Sequence, residues 1–313
     1  MDKFWIDAAI VGAPKCGSTS LYDYFSKQEH IVAVAEAKDF PVFSRPEDLA
    51  ERLQRLREFG YVERADKPQV IGDVNICFER SYLESLKLTS AHVKVIMLVR
   101  EPLRRIQSSY LFNVERLIET RSLASALNEE ADGILPDWGS KGWRQKAYLK
   151  HSDYEQMISD CRAVFGNDHM IVVDFEDLVH DFEATRLRLQ NFLGIPLDSE
   201  IALPKANVTS GQMRLRFLAK TLFQGERSSI LWSALRIVLS QKTRSRLRIS
   251  ARKALRKSGE KKPGDILSLA DLSDTAREQL AALQAHYENI KSQHSNFDVA
   301  GRTAPPLDAR QSS

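Results

Sequence analysis

The segment Gly12–Ser20 constrains the fold of this chain more than any other feature of its sequence. Its residues, GAPKCGSTS, follow a compact apolar run at Ile6–Val11 and precede Leu21–Gln28, where the apolar residues have helical spacing. A buried strand, a glycine- and serine-rich turn and a helix in this order are typical of anion-binding α/β proteins, because the turn amides and the helix N-terminus both favour negative charge. The sequence therefore predicts a strand–loop–helix unit with an anion site.

The polar residues of this loop suit a phosphate or a similar anion. Lys15 adds a point charge, Gly17 permits close approach of the backbone, and three hydroxyl donors follow at Ser18, Thr19 and Ser20. A turn that only caps the helix is the simpler alternative. A nucleoside triphosphatase is another, but its loop carries lysine directly after the second glycine. Ser18 holds that position here, which argues against ordinary ATP or GTP chemistry.

Apolar runs and amphipathic segments alternate along the chain. Strands are predicted at Ile6–Val11, Ile31–Ala35, Val70–Asp73, Val93–Val99 and Met170–Phe175. Helices are predicted at Leu21–Gln28, Glu47–Arg64, Tyr82–Lys87, Leu103–Ile118, Asp153–Phe165, Glu183–Leu193 and Ala270–Ser292. This alternation predicts an α/β fold of three layers, with a central parallel β-sheet flanked by helices and a helical C-terminal extension. We expect a single domain over 1–313, with a core at about 4–205, a basic helical extension at about 206–298 and a frayed tail at 299–313.

Composition excludes several other classes of protein. Of the 313 residues 43% are hydrophobic and 28% charged, which suits a globular enzyme, and a net charge of +3 gives no support for nucleic-acid binding. The cysteines Cys16, Cys77 and Cys161 form no CxxC pair, so neither a disulfide framework nor a zinc site is expected, and the reducing cytoplasm is the expected location. No apolar stretch is long enough to span a bilayer, and the N-terminal apolar run is interpreted as a strand rather than a signal peptide.

A second anion contact is predicted where the strand Val93–Val99 ends. Arg100 follows this strand directly, at the position where open α/β sheets bind ligands. Ser108 lies roughly two turns into the helix that begins near Pro102. A guanidinium and a hydroxyl that converge there would hold one phosphate by charge-assisted hydrogen bonds. The neighbouring Arg104 and Arg105 are expected to be solvated or to support this site indirectly.

These motifs together resemble the sulfotransferases that use 3′-phosphoadenosine 5′-phosphosulfate (PAPS), in particular bacterial ones related to the carbohydrate and heparan-sulfate types. Pro14–Leu21 is similar to the family's 5′-phosphosulfate loop. Arg100–Tyr110 resembles its 3′-phosphate site, an Arg-x-Pro followed by a helical serine. Bacterial members also share the order seen here in Ser152–Tyr154, a helix, a strand, Glu176–Leu178 and Phe192–Gly194. The resemblance extends from about Ile6 to Pro196, and more weakly to the loop Lys205–Asn207.

The resemblance implies a P-loop-related fold and sulfuryl transfer from PAPS to a hydroxyl or amine of an acceptor, such as a carbohydrate, a glycolipid or a small metabolite. No metal is required. It implies that the nucleotide is bound by Lys15, Cys16, Gly17, Ser18, Thr19, Ser20, Arg100, Ser108, Tyr154, Lys205 and Asn207. Lys15 would also stabilise the leaving 3′-phosphoadenosine 5′-phosphate (PAP). Two alternatives stay open: a nucleotide kinase or related phosphoryl transferase, and a non-catalytic nucleotide-binding module.

Three residues are candidates for the general base. Asp39 aligns with the glutamate of the family's Lys-Glu-x-x-Phe-Phe segment, so the carboxylate is kept but is one methylene shorter. Lys38 beside it is a candidate contact for the substrate. Asp73 resembles the acidic residue of a Gly-Glu turn in the same family, and it would act as base or bind the acceptor. His151 is a third candidate, since the pKa of histidine suits proton transfer near neutrality.

The region after Pro204 is rich in arginine and lysine, and Arg236–Lys262 contains a single acidic residue, Glu260. Its segment 230–262 joins an apolar stretch to a basic cluster. Such a segment suits either an anionic acceptor or peripheral contact with an anionic membrane. The alternative is a solvated helical face over a packed core.

Overall fold

The computed structural model describes residues 5–34, 38–39, 42–43, 48–61, 66–116, 118–134, 146–204 and 268–301. Within them lies one sheet of four parallel strands in the order β2-β1-β3-β4. The strands are β1 (Ala8–Gly12), β2 (Val70–Gly72), β3 (Lys94–Val99) and β4 (Met170–Asp174). All but two of their residues are buried, which matches the continuous apolar runs in the sequence. The predicted parallel α/β fold is confirmed.

Helices follow the strands. In chain order they are α1 (Ser18–Ser26), α2 (Leu49–Glu58), α3 (Arg80–Thr89), α4 (Pro102–Glu115), α5 (Leu123–Ala131), α6 (Tyr154–Phe165), α7 (Phe175–His180), α8 (Phe182–Leu193) and α9 (Asp274–Gly301). Local chemistry sets several of their ends. The Asp48 carboxylate caps α2 by accepting from the Glu51 amide, and α8 ends at Gly194, whose φ of 71° is left-handed.

The register of the sheet brings the carboxyl ends of its strands to one edge. Ile10 of β1 pairs with Gly72 of β2 and with Ile96 of β3. Val99 of β3 pairs with Asp174 of β4. Because all strands are parallel, the loops that follow them emerge at this edge, where open α/β sheets bind their ligands.

The predicted strand at Ile31–Ala35 was wrong for the residues described. Val32 forms one isolated bridge, to Gln69. Next to this bridge, tyrosine hydroxyls take the place of backbone partners. The Tyr22 hydroxyl donates to the Val34 carbonyl at 2.8 Å, and the Tyr61 hydroxyl donates to the Val70 carbonyl at 2.9 Å. These two hydroxyls satisfy backbone groups that a longer ladder would have used.

Several element boundaries also differ from prediction, and local contacts explain two of them. The helix predicted to reach Ile118 ends at Glu115, and the Ile118 amide turns back to the Asn113 carbonyl at 2.9 Å. Strand β4 ends one residue earlier than predicted, because the Asp174 side chain accepts from the Glu176 amide and so begins a helix at Phe175. A side-chain cap ends the strand at this point.

The chain divides into two compact units. The first comprises 1–106, 149–207 and 277–313 and contains the sheet; the second comprises 107–148 and 208–276. The prediction of one domain over 1–313 stays a prediction. The basic segment 230–262 and the predicted tail from residue 302 onward lie outside the described residues.

The second unit contains a buried ion pair. The Glu119 carboxylate has no exposed side-chain surface and accepts from Arg121 Nη2 at 2.9 Å and Nε at 3.0 Å. The Tyr148 hydroxyl donates to the same carboxylate at 3.0 Å and accepts from the Asn113 amide at 3.1 Å. Burial alone raises the pKa of Glu119, but its hydrogen bonds to Arg121 outweigh burial and lower the pKa.

Candidate functional site

The loop between β1 and α1 has the backbone of an anion-binding turn. Lys15 and Gly17 both have left-handed φ values, 73° and 91°. Gly17 is the N-cap of α1, and no side chain caps the helix there, so no capping group competes with an anion at its N-terminus. A Cβ at Gly17 would lie 3.0 Å from Phe175 and from Leu178, so close packing also requires glycine at this position.

Arg100 lies beside this loop at the end of β3. Its Nη1 donates to the Lys15 carbonyl at 3.3 Å, and its Cζ lies 4.2 Å from the centroid of the Phe175 ring. Its Nε is shielded from solvent and has no hydrogen-bond partner among the described residues. A shielded guanidinium donor without a partner costs free energy, and an anion bound here would satisfy it.

Tyr154, the first residue of α6, holds the backbone of Arg100. Its hydroxyl donates to the Arg100 carbonyl at 2.9 Å and accepts from the Arg100 amide at 3.3 Å. The side chain is buried, and burial raises the pKa of its hydroxyl well above the ordinary value. These contacts make Tyr154 a support for Arg100, while its predicted contact with a nucleotide stays a prediction.

The environment of the Cys16 thiol argues against a reactive role. It is fully buried, lies 3.6 Å from the Tyr154 hydroxyl and 3.7 Å from the Pro14 carbonyl, and burial raises its pKa to about 11. A thiol with that pKa is protonated at neutral pH and is a weak nucleophile. Any contact of Cys16 with an anion would therefore come from its backbone.

The two predicted carboxylates lie at the same edge of the sheet as the loop. The Asp39 amide donates to the Gly72 carbonyl at 2.7 Å, and the Asp73 amide donates to the Ile10 carbonyl at 3.1 Å. The Asp39 carboxylate is 44% exposed and pairs with the Lys38 ammonium. Asp73 is buried, and its Oδ1 accepts from the Asn75 backbone and side-chain amides at 3.1 and 3.0 Å. The backbones of both residues thus adjoin the end of β2, the neighbour of β1. Asp39 does so through its hydrogen bond to Gly72, and Asp73 follows Gly72 in the chain.

His151 packs against an aromatic ring in the protein interior. It is buried in the short turn Lys150–Ser152, and its ring stacks on Phe78 with centroids 3.8 Å apart and planes 13° apart. Its predicted role as a base stays a prediction. Ser108 lies within α4 and is half-buried, and its shared contact with Arg100 on one phosphate stays a prediction as well. Lys205 and Asn207 lie outside the described residues.

Of the two alternatives for Arg105, solvation was wrong, and indirect support of the site stays a prediction. Its side chain is fully buried rather than solvated, and its Nε donates to the Ser152 hydroxyl at 2.7 Å, whereas Arg104 is exposed as expected. One signal was available, because helical spacing places Arg105 on the same face as the buried Pro102 and Ile106. The contact that Phe175 makes with Arg100 was also missed, and no local sequence pattern indicates it.

Over the part of the chain that the structure describes, no group of three or more histidine, cysteine or acidic side chains is arranged to hold a metal ion. Over the same part, no helix combines the length and the apolar character needed to cross a bilayer.

The chain is similar to sulfotransferases in its sequence and in its fold. The family model described as "Sulfotransferase domain" matches residues 6–214. A sulfotransferase from Alicyclobacillus acidocaldarius has a similar fold, with a TM-score of 0.50 and 24% identity over 66% of this chain and 86% of that one. The sulfotransferase domain of the Synechococcus PCC 7002 olefin synthase aligns with a TM-score of 0.43 and 17% identity over 66% of this chain and 80% of that one. A mouse sulfotransferase complexed with PAP aligns with a TM-score of 0.40 and 16% identity over 63% and 62% of the two chains. No curated protein sequence matches the chain significantly.

Proposed function

The chain belongs to the sulfotransferase family, and from this premise we propose that it transfers a sulfuryl group from PAPS to a hydroxyl or amine of an acceptor. One observation supports PAPS dependence above all others. The Arg100 guanidinium, with its shielded and unpartnered Nε, lies against the phosphate loop at the carboxyl edge of the sheet. Two anion-binding elements in contact suit a nucleotide that carries phosphate at two positions. PAPS supplies the sulfuryl group when it is bound.

In this proposal the nucleotide is held from two sides. The loop from Lys15 to Ser20 binds the 5′-phosphosulfate through its backbone amides and hydroxyls, with Cys16 contributing its backbone only. Arg100 and Ser108 bind the 3′-phosphate, the group that distinguishes PAPS from ATP-like donors. Tyr154 supports Arg100 through both backbone hydrogen bonds, and Lys205 and Asn207 complete the contacts with the nucleotide.

The chemical step is an in-line displacement. The acceptor oxygen or nitrogen forms a bond to sulfur, the bond from sulfur to the phosphate oxygen breaks, and the proton of the acceptor passes to a base. Lys15 stabilises the negative charge that develops on the leaving phosphate oxygen, so the step requires no metal. The backbone of Lys15 lies beside Arg100, because the Arg100 guanidinium donates to the Lys15 carbonyl.

Asp39 is the base that the local contacts support best. Its carboxylate is partly exposed and therefore accessible to an acceptor, and the Lys38 ammonium beside it would contact the sulfonate or the nucleotide phosphate. Asp73 is buried and accepts two hydrogen bonds from Asn75, which suits a residue that orients the acceptor or Asp39. His151 is the third candidate, and its stacked, buried ring makes it the weakest of the three.

The acceptor is proposed to be a carbohydrate, a glycolipid or a small metabolite. The chain is proposed to act in the cytoplasm, with the basic segment 230–262 binding an anionic acceptor or touching the membrane surface. Assaying sulfuryl transfer to a soluble anionic acceptor with vesicles of neutral and of anionic lipid would separate these two roles, because anionic vesicles compete with the acceptor, and so inhibit, only if the segment binds the acceptor.

Calorimetric titration of the purified protein with PAP, and separately with ATP and Mg²⁺, tests the donor assignment. We expect tight binding of PAP and little response to ATP, because only PAP presents a 3′-phosphate to Arg100. Clear binding of ATP without binding of PAP would overturn the proposal in favour of a phosphoryl transferase. Binding of PAP without any turnover of PAPS across an acceptor screen would favour a non-catalytic nucleotide-binding module.

A further inference from the structure

The C-terminal helix α9 lies beyond residues 6–214, the part of the chain that the family model matches, yet it reaches the edge of the sheet. Leu283, Tyr287 and Ile290 of this helix are buried at helical spacing. Tyr287 and Ile290 belong to the same hydrophobic core as the strands. The Tyr287 hydroxyl donates to Asp174 Oδ2 at 2.6 Å, and this contact is buried.

Asp174 is the last residue of β4, so its carboxylate lies at the carboxyl edge of the sheet. Its second oxygen, Oδ1, accepts from the Glu176 amide at 2.8 Å and begins helix α7. The carboxylate is thus held by one hydrogen bond from its own helix and by one from α9. Removal of the Tyr287 hydroxyl would leave one oxygen of a buried carboxylate without this donor.

Phe175 follows Asp174 directly and touches both anion-binding elements. Its ring lies 4.2 Å from the guanidinium carbon of Arg100. The same ring packs over the phosphate loop, since a Cβ built on Gly17 would lie 3.0 Å from its Cδ2 atom. This one ring therefore contacts both the guanidinium and the loop.

We propose that Tyr287 is a positioning residue of the nucleotide site: its hydroxyl fixes Asp174, and Asp174 fixes the Phe175 ring that sets Arg100 against the phosphate loop. A long arginine side chain loses rotamer freedom when it binds a phosphate, and a guanidinium already held over an aromatic face loses less. This inference rests on the proposed function, because it assumes that Arg100 binds the 3′-phosphate.

The test is the contribution of the 3′-phosphate to binding, measured as the ratio of the dissociation constants of AMP and PAP. AMP lacks the 3′-phosphate and therefore does not use Arg100. In Tyr287→Phe the ring stays in the core and only the hydroxyl is lost. We expect this ratio to fall about three- to tenfold, the range typical of substitutions that act on a site through a neighbour.

Tyr24→Phe is the matched control. Tyr24 is also a buried tyrosine, and its hydroxyl donates at 2.7 Å to the Asp198 carbonyl rather than to any residue of the nucleotide site. Both variants lose one tyrosine hydroxyl and its hydrogen bond. We expect Tyr24→Phe to lower the melting temperature but to leave the ratio of the two dissociation constants unchanged.

A double-mutant cycle with Phe175→Leu tests the route of the effect. If Tyr287 acts through the Phe175 ring, the two substitutions affect the ratio less together than the sum of their separate effects predicts. Additive effects would contradict this route. If Tyr287→Phe does not fold, Asp174→Ser replaces it, since a serine hydroxyl still accepts from the Glu176 amide at the helix N-terminus but offers one oxygen in place of the two that Asp174 uses.

The outcomes separate this inference from the proposed function. If the wild-type protein binds PAP no better than AMP, the 3′-phosphate assignment fails. If the wild type favours PAP and Tyr287→Phe retains the full preference, or loses affinity for both nucleotides equally, the positioning role is overturned. A reduced preference for PAP in Tyr287→Phe, absent in Tyr24→Phe, supports it.

Discussion

Lys15 and Arg100 meet at one backbone atom, because the Arg100 guanidinium donates to the Lys15 carbonyl. The two residues nevertheless have different proposed tasks. Lys15 acts on charge that develops during the reaction, whereas Arg100 binds a phosphate that does not react. Substitutions at the two positions should therefore separate binding from chemistry.

Lys15→Ala should slow the chemical step more than it weakens nucleotide binding. Loss of one group that stabilises a developing oxyanion reduces kcat by about a hundred- to a thousandfold. Single-turnover kinetics with PAPS, together with calorimetry with PAP, would measure the two effects. Unchanged turnover would remove Lys15 from the chemical step.

Arg100→Ala should weaken PAP binding by about 2–5 kcal/mol, because a partly buried charged contact is lost. AMP binding should change far less. Arg104→Ala, which removes an exposed arginine four residues along the same segment, is the control and should leave both ligands unaffected. If Arg100→Ala weakened AMP and PAP equally, the assignment of Arg100 to the 3′-phosphate would be wrong.

The strand–loop–helix unit around this loop was predictable from sequence, because a turn rich in glycine and serine separates a buried apolar run from a segment of helical spacing. For the burial of Arg105 the sequence offered only helical spacing, which conflicts with the general rule that a charged residue is rarely fully buried unless paired. Its partner, the Ser152 hydroxyl, is distant in sequence. Contacts between distant polar side chains leave no periodic signal in a single sequence.

Among the elements, the β1–α1 loop depends most on a single backbone position. Gly17 combines a left-handed φ of 91° with neighbouring side-chain atoms 3.0 Å from its would-be Cβ. Gly60 has a similar φ of 85°, but no described atom lies within 4 Å of its would-be Cβ. Substitutions at Gly17 and Gly60 can therefore be compared to separate the free-energy cost of backbone conformation from that of packing.

Gly17→Ala should lower the free energy of unfolding by more than Gly60→Ala does. The backbone conformation alone costs about 1–3 kcal/mol for a residue with a side chain, and at Gly17 the clash with Phe175 and Leu178 adds to it. Urea denaturation of both variants would measure the difference. Equal losses would show that the loop tolerates a methyl group at Gly17.

The strands with continuous apolar runs, β1, β3 and β4, were predicted to within two residues at either end. The strand at Ile31–Ala35 was not, although its residues have strand-like character. Tyr22 and Tyr61 supply the hydrogen bonds that a neighbouring strand would have made. Propensity reports how well a segment fits a sheet, but partners elsewhere in the chain decide whether it joins one.

On the scale of the whole molecule, acid should destabilise the protein partly through Glu119. The folded pKa of Glu119 lies below its ordinary value of 4.5, so the native state binds fewer protons than the unfolded state near that pH. Its contribution is fully present above pH 4.5 and is lost as the pH falls through the lowered, native value. The buried pair with Arg121 is the physical origin of this dependence.

Glu119→Gln should reduce the free energy of unfolding at neutral pH by about 1–3 kcal/mol and flatten its dependence on pH below about 5. Denaturation curves collected from neutral pH to acid would show both effects. Glu84→Gln, in an exposed pair with Arg80, is the control and should change little. An unaltered pH dependence in Glu119→Gln would assign the acid sensitivity to other groups.

The order of the sheet also constrains how the chain acquires its structure during synthesis. Of the four described strands β1 is translated before the others, yet it lies between β2 and β3, which the ribosome completes later. When the phosphate loop emerges from the ribosome, the strands that flank β1 have not yet been synthesised. Arg100, Phe175 and Tyr287 are synthesised later still, in that order. Pairing of segments so far apart is slow, because the intervening chain loses entropy before any contact forms. The first motif of the sequence is thus among the last parts of the molecule to reach its native surroundings.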